Sequence, residues 1–178
     1  AHLAEPRRIV LWADLGPCAG VDSEPEEVEF DLDIALDALE IREHELLGEE
    51  PDADPVWRSL ELAAGQFVVE RRIQGTLTPT ILAGYPWFLD WGRDTFISLP
   101  GLLLCTGRCE EAAGVLTTFA QAVDEGMIPN RFDDYGNDPH YNSIDASLWF
   151  VYAAFEYLRA TGDTVTFSTR LLPAVRWI

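Results

Sequence analysis

The sequence predicts an all-α chain: helix after helix, joined by turns that alternate between short and long. Three observations carry this. Apolar residues recur at helical spacing in six successive segments. Residues that satisfy the orphan N–H and C=O groups of helix ends stand between those segments. The breaks themselves come in two kinds, tight Thr-Gly turns and long loops rich in Trp, Tyr, Arg, Asn and Asp.

Residues 1–22 hold one short apolar run, Ile9 to Trp12, followed by Gly16, Pro17 and Gly20. This reads as a strand and its exit loop. A lone strand forms no sheet, so the run is expected to end something larger. Ser23, Pro25 and Glu26 then form a capping box. Val28, Leu32, Leu36 and Leu39 follow as the apolar stripe of a first helix, which Gly48 closes. An acidic linker leads to Asp54 and Pro55, the cap and first turn of a second helix. Its stripe is Trp57, Leu60, Ala64, Phe67 and Val68, fading near Arg72. Thr76 to Phe88, with two prolines, reads as extended loop.

A third helix is expected near Asp94, with Asp94 as its cap and Pro100 forcing a kink or a late start. Thr106, Gly107 and Arg108 end it. A fourth runs from Cys109 to about Asp124 with Ala112, Leu116, Phe119, Ala120 and Val123 on one face. After the long loop Glu125 to Ser143, a fifth helix carries Ile144, Leu148, Val151, Phe155 and Leu158. Gly162 ends it and Asp163 caps a sixth, with Phe167, Leu171, Val175 and Ile178 as stripe and Pro173 as a possible kink. Antiparallel helices place alternate connections at one end of the array. The loops at 76–93 and 125–143 should therefore share one end, and the Thr-Gly turns the other.

Composition narrows the function. The formal net charge is −19, and every basic residue is Arg. A phosphate backbone or an anionic membrane surface asks for clustered positive charge, so nucleic acid and membranes are poor partners. No apolar run reaches the length of a membrane span, and no leader-like segment opens the chain. Cys18, Cys105 and Cys109 are odd in number and match no zinc spacing. They read as reduced thiols of a cytoplasmic protein. No cofactor or metal is implied. Asp133, Asp134, Asn137 and Asp138 lack the ligand spacing of a calcium loop and read as a solvated acidic turn.

The chemistry is concentrated in the two long loops. Gly84 to Gly101 reads GYPWFLDWGRDTFISLPG. Aromatic rings beside carboxylates and a guanidinium suit sugars, whose C–H faces stack on rings and whose hydroxyls take charged, bidentate partners. An aromatic core cap with Arg93 and Asp94 as a simple ion pair is the plainer reading. The second loop offers Asn130, Arg131, Tyr141, Asn142 and Asp145, which can each bond vicinal hydroxyls.

GYPWFLDWGRDTFISLPGLLL, IPNRF and YNSIDASLWFVYA, in continuous order from about Ala64 onward, resemble the C-terminal catalytic domain of glycogen debranching enzymes of the amylo-α-1,6-glucosidase type. The resemblance implies part of an (α/α)6 toroid with a sugar pocket at one end. It divides the chain into the end of an N-terminal β-rich domain (1–22), a linker helix and acidic linker (23–54), and the first part of the glucosidase domain (55–178). It makes Arg93 and Asp94 the clasp of a terminal glucose, with Trp87 and Trp91 as walls. Asn130, Arg131, Tyr141, Asn142 and Asp145 line the same pocket.

The implied activity is inverting hydrolysis of α-1,6-linked glucose at branch points of a glycogen-like α-glucan. A glucoamylase-like α-glucosidase and a non-catalytic helical interaction module are the alternatives. The implied general acid falls on the loop after the fifth toroid helix and the base near the last helix pair, both beyond Ile178, so no catalytic residue is expected within the chain, with Asp145 as runner-up. An incomplete toroid would leave stripes such as that of the last helix without a partner, favouring self-association.

Overall fold

The computed structural model describes residues 32–47, 54–73, 76–85, 88–132 and 138–178. The expected strand at Ile9 to Trp12 and the capping box at Ser23 to Glu26 lie outside the described residues, as does Gly48. Within them the chain is mostly helical. The helices are α1 (Leu32–Leu47), α2 (Pro55–Phe67), α3 (Gly92–Leu99), α4 (Cys109–Gln121), α5 (Ile144–Thr161), α6 (Thr164–Thr166) and α7 (Leu172–Trp177).

Caps set several of these boundaries. The Asp54 carboxylate accepts the Val56 N–H at 2.7 Å at the start of α2, with Pro55 in its first turn. Gly162 ends α5 at a φ of 67°, a left-handed conformation that glycine adopts without strain. Asp163 then accepts the Thr166 N–H at 2.9 Å and the Tyr157 hydroxyl at 2.8 Å.

The prolines expected to kink helices, Pro100 and Pro173, each adjoin a π-helical turn. Pro100–Leu104 and Phe167–Leu171 are π-helical turns, the first beginning at Pro100 and the second ending two residues before Pro173. Widening by one residue lets Cys105 N–H reach the Pro100 carbonyl at 2.9 Å, and α3 and α7 are joined to what flanks them without a break.

Three expectations are corrected. First, α2 stops at Phe67, and Val68–Ile73 is a strand, β1, paired antiparallel with β2 (Thr76–Ile81). Val68 therefore belongs to the strand and not to the helix stripe, and Thr76 to Ile81 is no loop. Pro79 is tolerated because a two-stranded ribbon has a free edge on either side. Gly114 of α4 lies under that proline: a Cβ there would stand 2.8 Å from the Pro79 ring. Second, Asp94 does not cap α3. Trp91 holds the cap position, and Asp94 sits in the first turn.

Third, α5 buries a different face. Ala146, Ser147, Phe150, Ala153, Ala154 and Tyr157 point inward, while Ile144 (72% exposed), Leu148 (63%) and Phe155 (49%) point out. The helix is apolar nearly all round, so its periodicity does not select a side. The last stripe, by contrast, is not left without a partner. Phe167 and Leu171 are buried, and Val175 and Ile178 pack against the core. On α5, Ile144 and Leu148 face outward, while Phe155, half exposed, meets the Phe167 ring at 5.2 Å.

The core lies between α3, α4 and α5. Phe96 stands edge-on to Phe119 (4.9 Å between centroids) and to Phe150 (5.4 Å), and Phe119 meets Phe132 at 5.1 Å. Such offset and edge-on pairs add to simple burial. Phe132 belongs to β3 (Arg131–Phe132), which pairs antiparallel with β4 (Pro139–His140) in the second long loop. The loop is thereby rooted in the core it decorates.

The Thr166 hydroxyl, first, and N–H, with the Tyr157 hydroxyl, hold the Asp163 carboxyl down at about 2, against an ordinary 3.8. A depressed carboxylate stabilises the fold fully above its unfolded value near 4 and loses that contribution as pH falls through 2. Urea midpoints followed from pH 5 to 2 should thus fall more steeply for the natural chain than for Asp163→Asn. Parallel profiles would sink this account of the cap.

Candidate functional site

The two long loops meet at a joint built by Gly92 and Asn130. Gly92 N–H donates to the Asn130 carbonyl at 2.8 Å, and Arg93 N–H donates to the Asn130 side-chain oxygen at 3.2 Å. A Cβ on Gly92 would stand 2.6 Å from the Pro129 carbonyl oxygen, so only glycine lets the backbones approach this closely. Trp91 extends the contact as an antiparallel bridge to Arg131.

Asn130 is buried, at 4% exposure, and every polar group it has is used. Its N–H donates to the His140 carbonyl at 2.8 Å, and its Nδ2 donates to Asn142 Oδ1 at 3.2 Å. A buried amide with this many partners orders the loops around it. Beneath it, Ser147 of α5 accepts the Ile128 N–H at 2.9 Å, fixing the approach of the second loop.

Above the joint the charged side chains gather. Arg93 Nη1 lies 3.4 Å from Asp145 Oδ2, and Arg93 Nε lies 3.9 Å from Asp94 Oδ2. All three side chains keep between 43% and 47% of their surface exposed. They form an open cluster and not a closed ion pair, so their lone pairs and N–H groups remain accessible. The Arg131 guanidinium lies over the Trp91 ring at 5.9 Å, with His140 Nε2 at 3.5 Å from its Nη2. The cation is attracted to the indole face, which ties Arg131 to Trp91.

At Asp145 hydrogen bonds and a nearby charge outweigh the opposing effect of desolvation. The Ser143 hydroxyl, first, and the Arg93 guanidinium, next, hold its carboxyl below the ordinary range. Ser143 precedes α5 and donates to Asp145 Oδ1. Asp145 is therefore a carboxylate at neutral pH. It can accept hydrogen bonds from hydroxyls, and it is poorly suited to deliver a proton.

Of the expected site residues, the structure brings together Trp91, Arg93, Asp94, Arg131, Asn142 and Asp145. Asn130 supports them from below. Trp87 lies outside the described residues. Tyr141 turns away: its hydroxyl donates to the Ala122 carbonyl at 2.6 Å, and burial, reinforced by Asp124, raises its pKa. Its protonated phenol staples the second loop to the end of α4. Sequence reasoning missed Ser143 and His140. The Ser-x-Asp spacing at 143–145 ahead of an apolar run is the signal that could have found the first.

A separate groove of about 940 Å³ lies elsewhere, lined by Ile41, Arg42, Val68, Pro79, Arg108 and Glu111 among others. It involves the Thr-Gly turn at 106–107 and none of the expected site residues. Among the described residues no His, Cys, Asp or Glu cluster could hold a metal ion, and no helix is long and apolar enough to cross a membrane.

The model of the family described as amylo-alpha-1,6-glucosidase matches residues 62–178, about two thirds of the chain. The glycogen debranching enzyme of Saccharomyces cerevisiae is 37% identical over 115 residues, which is 60% of this chain and 7% of the yeast protein. The chain thus spans a small part of that relative's length.

Removing the Ser143 hydroxyl tests the electrostatics of the cluster. In Ser143→Ala the Asp145 carboxyl should titrate at higher pH, moving toward its ordinary 3.8. Carboxyl ¹³C shifts followed between pH 2 and 6 would read this directly. An unchanged midpoint would mean that Ser143 does not set the ionisation of Asp145.

Proposed function

The chain belongs to the amylo-alpha-1,6-glucosidase family, and from that footing we propose that it carries the glucose-binding part of a glycoside hydrolase acting on branched α-glucans. The observation that carries this is the open cluster of Arg93, Asp94 and Asp145 beside the Trp91 ring. A guanidinium with carboxylates on either side offers donors and acceptors to neighbouring hydroxyls of one sugar. The indole takes its C–H face. A protein-binding groove would want apolar anchors at this end, and Asn142 and Asp145 are not that.

In this reading Arg93 and Asp94 clasp the terminal glucose, and Trp91, with Trp87, forms the wall. Arg131, Asn142 and Asp145 close the other side, while Asn130 and Tyr141 hold the second loop in place. The reaction is hydrolysis of an α-1,6 branch-point glucose with inversion, by one carboxylic acid and one carboxylate about 6.5–9.5 Å apart with a water between. Both belong to the later part of an (α/α)6 toroid, of which residues 55–178 are the first part. Residues 1–22 and 23–54 are then the end of a β-rich domain and a linker. Asp145, held as a carboxylate, is a binder.

The outward row of Ile144 and Leu148 on α5 supports the incomplete toroid, since further helices would cover it. Without them the row favours self-association. The free thiols of Cys105 and Cys109 suit a cytoplasmic setting.

Glucose release from a phosphorylase-trimmed branched glucan tests the proposal, with this chain run beside one extended through the later helices. Release by the extended protein, falling about tenfold or more in kcat/KM in Arg93→Ala and in Asp94→Ala, is the expected result, since each removes charge-assisted hydrogen bonds of roughly 1.5–3 kcal/mol. Turnover by the short chain alone would put the acid and base inside it. No glucose from any α-glucan would refute the substrate.

A further inference from the structure

The β1–β2 hairpin, which the helical pattern of the sequence hides, meets the first loop at Asp90. Asp90, the residue before Trp91, is 2% exposed. A carboxylate removed from water must be met by opposite charge and hydrogen bonds. Both of its oxygens are met from the hairpin. Arg71 Nη1 lies 2.5 Å from Oδ1, and the Thr80 hydroxyl donates to Oδ2 at 3.1 Å. Val69 pairs with Thr80 and Arg71 with Thr78, so Arg71 and Thr80 share one face of the ribbon.

The Arg71 guanidinium also lies over the Phe132 ring at 5.9 Å. Phe132 follows Arg131, whose guanidinium covers Trp91 at 5.9 Å, and Trp91 follows Asp90. The contacts therefore close a ring. The hairpin holds the first loop through Arg71 and Asp90 and the second through Arg71 and Phe132. The second loop holds the first through Arg131 and Trp91.

We propose that Arg71 and Asp90 are positioning residues for the glucose site: their buried pair seats both loops against the hairpin and so fixes where Trp91 and Arg93 stand. This rests on the glucose-binding reading for its functional consequence, though not for its structural one. Buried ion pairs are weak sources of stability, and apolar pairs of similar volume often serve as well. Their particular contribution is direction, because Arg71 and Thr80, on one face of the ribbon, each hold a different oxygen of the Asp90 carboxylate. A two-stranded ribbon is marginal by itself; Val68 and Ile81 seat this one on the core, and the Arg71–Asp90 pair ties it to the loops.

The test separates positioning from simple destabilisation. Amide hydrogen exchange is measured for Gly92 and Arg93, whose N–H groups cross the joint to Asn130, and for core amides such as Leu116 and Ala154. In Asp90→Asn and Arg71→Met, exchange at Gly92 and Arg93 should quicken about tenfold or more relative to the core amides. Glucose affinity, read from tryptophan fluorescence, should weaken alongside. Arg71→Lys, which keeps the charge but loses the fork and the stacking, should fall between, and it serves if Arg71→Met does not fold. Unchanged protection at Gly92 and Arg93, or acceleration equal to that of the core, would overturn the proposal. A natural chain that ignores glucose would refute the sugar reading, while the exchange data would still decide the positioning claim.

Discussion

The polar end of this molecule depends on one close approach, the backbone of Gly92 against Pro129 and Asn130. The glycine is needed for space: the nearest carbonyl oxygen would lie 2.6 Å from a Cβ. Because the chain can come this near, two consecutive N–H groups of the first loop reach Asn130 of the second. Asn130 in turn holds His140 and Asn142. Two loops nearly 40 residues apart in sequence, at Arg93 and Asn130, become one surface, and Arg93 reaches Asp145 across it. Without this joint, the charged residues would be scattered over separate connections.

The rigidity below the joint has two sources. The phenylalanine cluster of Phe96, Phe119, Phe132 and Phe150 ties the second loop to three helices at once. The ring through Arg71, Asp90, Trp91, Arg131 and Phe132 ties both loops to the hairpin. What stays open to a ligand is above: Arg93, Asp94 and Asp145 share charge in solvent. Under the proposed reading, that open cluster is where the sugar hydroxyls are met.

Much of this was legible in the sequence, and the failures have physical causes. Asp54, Gly162 and Asp163 declared helix ends through local hydrogen bonds, which sequence encodes directly. The meeting of the two long loops followed from alternation of helix directions. The hairpin was missed because Val68 continues the spacing of the α2 stripe, although β-branched Val68, Val69 and Ile73, then Gly75 and alternating Thr76, Thr78 and Thr80, carried a strand signal. The buried face of α5 was misread because apolar residues surround it, and only tertiary packing chooses between Phe150 and Leu148. Asn130 and Tyr141 look like ligand-facing groups by residue type. Their hydrogen bonds to protein, which no spacing rule reveals, make them part of the frame.

The central claim is that the surface above the Gly92–Asn130 joint receives a sugar. Backbone amide shifts recorded while glucose or an α-1,6-linked glucosyl disaccharide is added test it most directly. The account predicts saturable shifts confined to residues 91–94, 130–131 and 140–145. Shifts centred instead on the groove at Arg42, Arg108 and Glu111, or none at sugar concentrations well above a weak affinity, would contradict it.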